Sequence, residues 1–276
     1  MIEYDGHVHS PFCPHGTKDT FEDYIKQAVK LGWKGMTFTE HAPLPPSFDD
    51  PVPDKDSAMD LSDLNHYITE LQNLKEKYKN ELDIRIGLEV DYIEAYEEET
   101  RLFLNEVGPV LDDAILSVHF LKINDRYTCL DYSPGMFNEA ITASGSLEAV
   151  YDRYFSTVLS SIKADLGSYK PNRIGHITLV RKFQKRFPAS FPCLQKVLPI
   201  LTEVKKHSMT LDVNGAGFIK PLCGESYPSS DVLRKAAEMK IPCVYGSDSH
   251  SYKQLGSGYV KLKDQVPLTP PAVYPE

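Results

Sequence analysis

The sequence predicts an α/β fold built around a parallel β-sheet. Seven short apolar segments, typical of buried strands, alternate with segments in which apolar residues recur at helical spacing. This alternation is typical of βαβ units, whose sheet is either closed as a barrel or open and doubly wound. A single α/β barrel commonly has about the 276 residues found here. No linker or internal repeat interrupts the pattern, so we expect one domain over residues 1–276.

The predicted strands are short and end in polar side chains. In chain order they are MIEYDGHV (1–8), WKGMTFTE (33–40), DIRIGLEVDYI (83–93), DAILSVHFLK (113–122), NRIGHITLV (172–180), MTLDVNGAG (209–217) and IPCVYGSDS (241–249). Their length and apolar content are those of strands covered on both faces, as in a parallel sheet.

Four of the intervening segments show helical periodicity. They are marked by Phe21, Tyr24, Ile25, Ala28 and Val29 between an N-cap Thr20 and Gly32; by Leu64, Ile68, Leu71 and Leu74; by Leu194, Val197, Leu198, Leu201 and Val204; and by Leu233, Ala236 and Ala237 behind Ser229 or Ser230. Pro199 inside the third predicts a kink. Residues 42–60 and 131–146 are expected to be long loops that act as lids or are disordered. The proline-rich tail, 265–276, is expected to run extended over the surface.

Composition excludes several classes of protein. The net charge of −9 and the pI of about 5.5 argue against an electrostatic grip on nucleic acid or an anionic membrane. No apolar run approaches the ~18 residues of a bilayer span, and the opening MIEYDGHVH lacks the features of a signal peptide. Five scattered cysteines without a CxxC motif predict neither a disulfide framework nor a cysteine zinc site. Only Cys13 has other ligand types nearby in the sequence. We therefore expect a cytoplasmic protein.

Histidines, carboxylates and one asparagine recur at the C-terminal ends of the predicted strands. They are His7 and His9 with His15 just beyond, Glu40 and His41, Glu89, His119, His176, Asn214, and Asp248 with His250. In a parallel barrel the C-terminal strand ends converge on one face, so these side chains are expected to meet there. The remaining histidines, His66 and His207, fall in predicted helices and are expected to be structural or exposed.

We predict that this cluster binds metal. Any one of these histidines alone is more typical of a hydrogen-bonded strand end than of a metal ligand. Together, clustered imidazoles would titrate against one another and need neutralising partners. A divalent cation is instead bound by neutral imidazoles and carboxylates, and zinc, manganese and iron all fit such donors.

Six ordered motifs, DGHVHS, TEHAP, GLEVDY, VHF, GH and SDSH, resemble those of the PHP (polymerase and histidinol phosphatase) superfamily. The opening DGHVHSPFCPHG, followed by FTEHAPLP, is most similar to the monofunctional histidinol-phosphate phosphatases of that superfamily. Amidohydrolase barrels also open with HxH. However, Glu89 stands where they have a bridging lysine, and the early His15 and His41 fit them poorly.

The resemblance implies a distorted seven-stranded (β/α)7 TIM-like barrel with up to three divalent or transition metal ions. It assigns His7, His9, Glu89 and Asp248 to the first metal. Glu89 would bridge to the second, held also by His119 and His176, and the third would take His15, His41 and His250. Asp5 is a candidate to orient a ligand imidazole, with a simple strand-end hydrogen bond as the alternative.

The resemblance also implies hydrolysis of L-histidinol phosphate to L-histidinol and phosphate in histidine biosynthesis. Neighbouring metal ions activate water and clamp phosphoryl oxygens, so we expect in-line attack by a metal-bridging hydroxide, with the general acid unassigned. Candidates for the phosphate are Arg181, Lys182 and Arg153. Glu40 and Asn214 are candidates for the imidazole or ammonium of the substrate.

Two other functions remain open on the sequence. One is a PHP phosphoesterase that acts on nucleotides or nucleic-acid ends, and the other is a non-catalytic, metal-binding barrel. The acidic charge favours a small phosphate monoester over nucleic acid or a membrane as the partner. The oligomeric state has no signature in the sequence.

Overall fold

The centre of the fold is a sheet of seven parallel strands whose spatial order follows the chain. This computed structural model describes residues 4–274, so 1–3 of the first predicted strand and 275–276 of the tail lie outside the described residues. The barrel strands are Tyr4–Val8 (β1), Gly35–His41 (β2), Asp83–Asp91 (β3), Asp113–Ser117 (β4), Arg173–Ile174 (β7), Thr210–Asn214 (β8) and Cys243–Gly246 (β9). A separate antiparallel hairpin, Phe120–Ile123 (β5) and Arg126–Cys129 (β6), follows β4.

The last strand returns to the first and nearly closes the barrel. The backbone N–H of His9 donates to the carbonyl of Ser249 at 3.0 Å, and that of Asp248 donates to the carbonyl of His7 at 2.8 Å. Because β7 has only two residues, the barrel is distorted on that side. The predicted α/β class and seven-stranded barrel are confirmed.

Eight α-helices connect the strands of residues 4–274. They are Phe21–Lys30 (α1), Leu64–Tyr78 (α2), Glu97–Val107 (α3), Pro134–Ser144 (α4), Leu147–Lys163 (α5), Cys193–Lys206 (α6), Ser230–Glu238 (α7) and Tyr259–Leu262 (α8). All four segments of helical period are helices. The Thr20 hydroxyl accepts from the N–H of Asp23, whose carboxylate accepts from the N–H of Thr20, so α1 begins with a capping box. Val29, expected on the buried face of α1, is 40% exposed.

The prediction of a loop at 131–146 is wrong, because most of this segment forms α4. Three of its residues cap helices: the Ser133 hydroxyl accepts from the N–H of Met136, Gly145 ends the helix at φ +83°, and the Ser146 hydroxyl accepts from the N–H of Ala149 at the start of α5. The fourth predicted strand divides into β4 and β5, and the fifth shortens to β7. Residues 42–60 contain no α-helix or strand, as expected of a loop. Pro199 lies inside α6, where a kink stays a prediction.

Residues 266–274 close the barrel end opposite the C-terminal strand ends. Leu268 forms a parallel bridge with Cys243, Arg85 donates to the carbonyl of Pro271 at 2.6 Å, and the N–H of Tyr274 donates to Asp112. The tail is extended as expected, but Pro271 is buried, so the tail packs into the fold rather than lying on its surface. Within residues 4–274, no helix has the length and apolar character needed to cross a membrane.

Candidate metal centre

Glu89, near the end of β3, stands at the centre of the histidine cluster. Its Oε2 lies 3.3 Å from His7 Nε2, 3.6 Å from His9 Nε2 and 3.2 Å from His41 Nδ1. Its Oε1 lies 2.8 Å from His176 Nε2 and 3.8 Å from His119 Nε2. The two carboxylate oxygens therefore face two separate sets of imidazoles, as a bridging ligand requires.

Asp248 faces the first of these sets from the closing side of the barrel. Its Oδ1 lies 3.1 Å from His9 Nε2 and 3.8 Å from His7 Nε2. It has a positive φ of 53°, in the left-handed region that L residues seldom adopt. This backbone turn after β9 brings the carboxylate to His7 and His9.

Carboxylates hold three of the histidines in fixed orientations. Nδ1 of His7 lies 3.0 Å from Asp212, Nδ1 of His119 lies 2.9 Å from Asp91, and Nδ1 of His9 lies 3.3 Å from Glu40. A carboxylate accepts a hydrogen bond, so each Nδ1 carries a proton and Nε2 is the nitrogen left to bind a metal. These Nε2 atoms point to Glu89 or Asp248.

His15 and His250 approach each other through their Nε2 atoms, at a spacing that suits a shared cation. Nδ1 of His15 donates to the carbonyl of Asp56 at 2.7 Å, and Nδ1 of His250 donates to the carbonyl of Asp248 at 3.1 Å. Their Nε2 atoms face each other at 3.2 Å, and two neutral imidazoles in these tautomers would direct two lone pairs at each other. Two nitrogens bound to one tetrahedral metal at about 2.0 Å lie about 3.3 Å apart, so this spacing fits a shared ion.

Charge divides the histidines into two kinds. Burial acts to lower the pKa of His9, but the carboxylates of Asp248 and Glu40 outweigh it and raise the pKa to about 9. Burial lowers the pKa of His41 well below its usual value, and the neighbouring charge on His9 lowers it further. Burial also raises the pKa of Glu89, yet His7 and His119 hold it well below the usual range. In the absence of metal, protons thus supply the positive charge on one side of the cluster.

The donors present fit bound metal ions. His7 Nε2 and His41 Nδ1 are buried and have no hydrogen-bond partner among residues 4–274. Ligand atoms lie within 4.8 Å of one another in three groups: His7, His9 and Glu89; Glu89, His119 and His176; and His9, Cys13, His41 and His250. The first two correspond to the expected sets, with Asp248 beside the first. The third differs from expectation because it contains Cys13 and His9 instead of His15.

A pocket of about 350 Å³ opens above this cluster at the C-terminal ends of the strands. Its floor includes His41, His119, His176, Asp248 and His250. Its walls come from the 42–60 loop, the β5–β6 hairpin and the segments after β7 and β8. A small ligand in this pocket would touch the cluster directly.

Among the three expected phosphate-binding cations, one lines this pocket. Lys182 does, with its Nζ 2.8 Å from Asp131, whose charge raises the pKa of Lys182 against the effect of burial. Arg181 instead pairs with Glu225. Arg153 donates to Glu94 at 2.6 Å and to the carbonyl of Lys122 at 2.9 Å. A second lysine, Lys220, lines the pocket and had no signal in the sequence beyond its position after a strand.

Glu40, Asn214 and Asp5 lie beneath the cluster instead of facing the pocket. Glu40 is fully buried and accepts from the N–H groups of Ser10 and His41 besides contacting His9. Asn214 donates to Asp248 at 3.1 Å and so positions that carboxylate. Asp5 accepts from the backbone N–H groups of His7 and Ser247, the strand-end arrangement, while Asp212 contacts the His7 ring.

Asp91 and Asp212 orient the imidazoles of His119 and His7 and were not predicted from the sequence. Asp91 ends β3 and Asp212 lies inside β8, each two residues from a polar position already singled out, Glu89 or Asn214. Side chains two apart on a strand share a face, and this signal could have found both. His66 and His207 are exposed, as expected. All five cysteines are reduced and buried.

Comparison with known proteins agrees with this geometry. The PHP domain profile matches residues 5–216, and a PHP-associated profile matches 231–270. The chain is 50% identical to the histidinol-phosphatase of Bacillus subtilis over 261 residues, 94% of this chain and 97% of that protein. It is 32% identical to a probable histidinol-phosphatase of Deinococcus radiodurans, over 95% of this chain and 92% of that one.

Two solved structures share the whole fold. A putative histidinol phosphatase from Listeria monocytogenes matches with a TM-score of 0.90 and 41% identity, over 94% of this chain and 99% of that chain. The Lactococcus lactis histidinol phosphate phosphatase, solved with zinc, L-histidinol and phosphate, matches with a TM-score of 0.71 and 21% identity, over 99% and 97%. The resemblance predicted from the six motifs is confirmed, and the chain belongs to the PHP domain family.

Proposed function

We propose that this chain hydrolyses L-histidinol phosphate to L-histidinol and phosphate in histidine biosynthesis. The proposed substrate rests on the 50% identity with the Bacillus subtilis histidinol-phosphatase, which extends over nearly all of both chains. The Lactococcus lactis relative, solved with L-histidinol and phosphate, shares the fold. The pocket above the histidine cluster supports this reaction, because its volume suits a small phosphate monoester.

We infer three metal sites around Glu89. The first takes His7, His9, Glu89 and Asp248, the second Glu89, His119 and His176, and the third His15, His41 and His250. Zinc is the metal of the Lactococcus relative, and manganese and iron suit the same donors. When bound, such ions activate water and neutralise charge on the phosphoryl oxygens.

The side chains of the pocket bind and orient the substrate. Lys182 and Lys220 bring positive charge to the phosphate, and Asp131 fixes the ammonium of Lys182 at 2.8 Å. Asp56, which lines the same pocket, is available to the ammonium of the substrate. The buried Asp91, Asp212 and Glu40 keep the imidazoles in place throughout.

We also propose a single domain over residues 1–276 and a cytoplasmic location. All seven barrel strands of the described residues form one sheet, which supports the single domain. The net charge of −9 supports a small-molecule substrate in preference to nucleic acid.

The test is phosphate release from L-histidinol phosphate against a panel of nucleotide and sugar phosphates. The full chain is assayed after metal reconstitution, after EDTA treatment, and as the His9→Ala and His207→Ala variants. We expect preference for L-histidinol phosphate, lost with EDTA and in His9→Ala but kept in His207→Ala, because His207 is exposed on a helix end. Activity confined to nucleotides would overturn the substrate. Inactivity at full metal loading would favour the non-catalytic barrel.

A further inference from the structure

Cys13 lies in the turn that follows β1 and belongs to the third group of candidate metal ligands. The N–H of Cys13 donates to the carbonyl of Ser10 at 3.1 Å, and the N–H of Gly16 donates to the carbonyl of Cys13 at 3.2 Å. The preceding Phe12 packs against the rings of Phe21 and Tyr67. The turn is therefore anchored to the core, and the thiol is held in one place.

The space around the thiol is filled closely. Cys13 is completely buried, and a Cβ atom on Gly16 would lie 3.0 Å from the Cβ and 3.4 Å from the Sγ of Cys13. Glycine at position 16 thus leaves room for the thiol on this side. The Glu40 carboxylate also contacts the thiol. The Sγ and one nitrogen from each of His9, His41 and His250 all lie within 4.8 Å of one another.

His9 belongs to the neighbouring site. Its Nδ1 contacts Glu40 at 3.3 Å and its Nε2 lies 3.1 Å from Asp248, so neither nitrogen is free for a further ion. This leaves Cys13, His41 and His250 as the donors around the third position. His15 lies next to this set, since its Nε2 faces that of His250 at 3.2 Å, although His15 is not a member of the group that contains Cys13. One sulfur and two imidazole nitrogens are donors that zinc accepts, and His15 is the nearest candidate for a fourth position.

We propose that Cys13 is a ligand of the third metal ion, together with His15, His41 and His250, and that this position favours a thiophilic ion such as zinc. On coordination the S–H bond breaks, the sulfur binds the ion as a thiolate, and the proton passes to solvent. The inference rests on the metal centre of the proposed function and adds one donor to it. A small buried thiol that only fills space is the alternative.

The test is X-ray absorption at the zinc edge on the full chain loaded with three zinc ions. We expect a sulfur shell at about 2.3 Å, with an occupancy of one sulfur for every three zinc ions. The same chain loaded with cobalt should show a thiolate-to-cobalt charge-transfer band in the near ultraviolet. Both signals should disappear in Cys13→Ser and persist in Cys193→Ser, a buried cysteine outside the three ligand groups.

Two outcomes would overturn the inference: the absence of sulfur from the shell of the wild-type chain at full loading, or retention of both signals in Cys13→Ser. The wild-type spectrum decides even where the variant fails to fold. Phosphate release measured on the same samples separates this inference from the proposed function. A sulfur shell without activity on L-histidinol phosphate would keep the ligand and reject the substrate, whereas activity without sulfur would do the reverse.

Discussion

Nδ1 of His7 lies 3.0 Å from Oδ2 of Asp212, and both side chains are completely buried. The two residues come from β1 and β8, so the contact crosses the interior of the barrel. It fixes the imidazole with Nε2 toward Glu89, 3.3 Å away. A metal at the first site would therefore bind an imidazole that is already oriented. The conformational entropy of the His7 side chain is lost during folding and not during metal binding.

We expect Asp212→Asn to weaken metal binding at the first site. The substitution keeps the shape of the side chain and removes the charge that makes His7 a more basic ligand. Loss of such a partner typically lowers metal affinity by about 10- to 100-fold. Competition against a coloured chelator measures the affinity, with the exposed Asp125→Asn as the matched control. An affinity equal to that of the control would show that Asp212 plays no part in metal binding.

Lys182→Met should reduce kcat/KM for L-histidinol phosphate. The ammonium of Lys182 lines the pocket, and a hydrogen bond to a charged group contributes about 1.5–3 kcal/mol, or about 10-fold or more in kcat/KM. Lys182→Arg should retain part of the activity. Arg153→Met serves as the control, because Arg153 contacts Glu94 and lies outside the residues that line the pocket. Equal losses in the two methionine variants would contradict a phosphate contact by Lys182.

Arg173→Met should destabilise the fold without touching the pocket. Arg173 is 1% exposed and forms an ion pair with Asp113 inside the barrel. Removing one partner leaves a buried charge uncompensated, which costs about 3–5 kcal/mol. Urea unfolding measures the change, and adding Asp113→Asn should recover part of it. The ion pair of Lys196 with Asp152 at the surface, with the aspartate 58% exposed and the lysine 20%, offers a comparison, since Lys196→Met should cost at most about 1 kcal/mol.

Thr20→Ala should remove the capping box of α1. The hydroxyl satisfies the N–H of Asp23, and loss of such a cap costs about 0.5–2 kcal/mol of folding free energy. Thr69 lies on the exposed face of α2 and caps no helix, so it serves as the control. Thr69→Ala should change the folding free energy by no more than about 0.5 kcal/mol. Thermal unfolding of the two variants under identical conditions gives the comparison. A Thr20→Ala protein as stable as Thr69→Ala would mean that the cap contributes nothing.

Much of the site could be predicted from the sequence because strand ends are local features. His7, His9, Glu89 and Asp248 each follow an apolar run, and the parallel barrel brings such positions to one face. The cluster around Glu89 therefore follows from the strand pattern once the sheet is closed. The helices with a clear apolar stripe and a cap, such as α1, could be predicted for the same reason.

The rest depends on contacts between distant segments. Glu40 was expected at the substrate, but His9 and Ser10, which directly follow the neighbouring strand β1, contact both of its carboxylate oxygens. Residues 131–146 were expected to form a loop because they are rich in serine and glycine. The same residue types also cap helices, so local composition does not distinguish a loop from a capped helix. Arg181 and Lys182 are adjacent in sequence, yet Arg181 forms an ion pair with Glu225 and Lys182 lines the pocket.

The closure of the barrel also determines when, during synthesis of the chain, the clustered side chains come together. His7 and Asp248 approach within 3.8 Å, although nearly the whole chain separates them. A ribosome releases His7 and His9 early and Asp248 close to the end, so the growing chain carries its first ligands exposed for most of synthesis. The proposed first metal site is consequently complete only when the final strand has joined β1. A chain truncated before that strand would retain eight of the nine histidines and still lack the site.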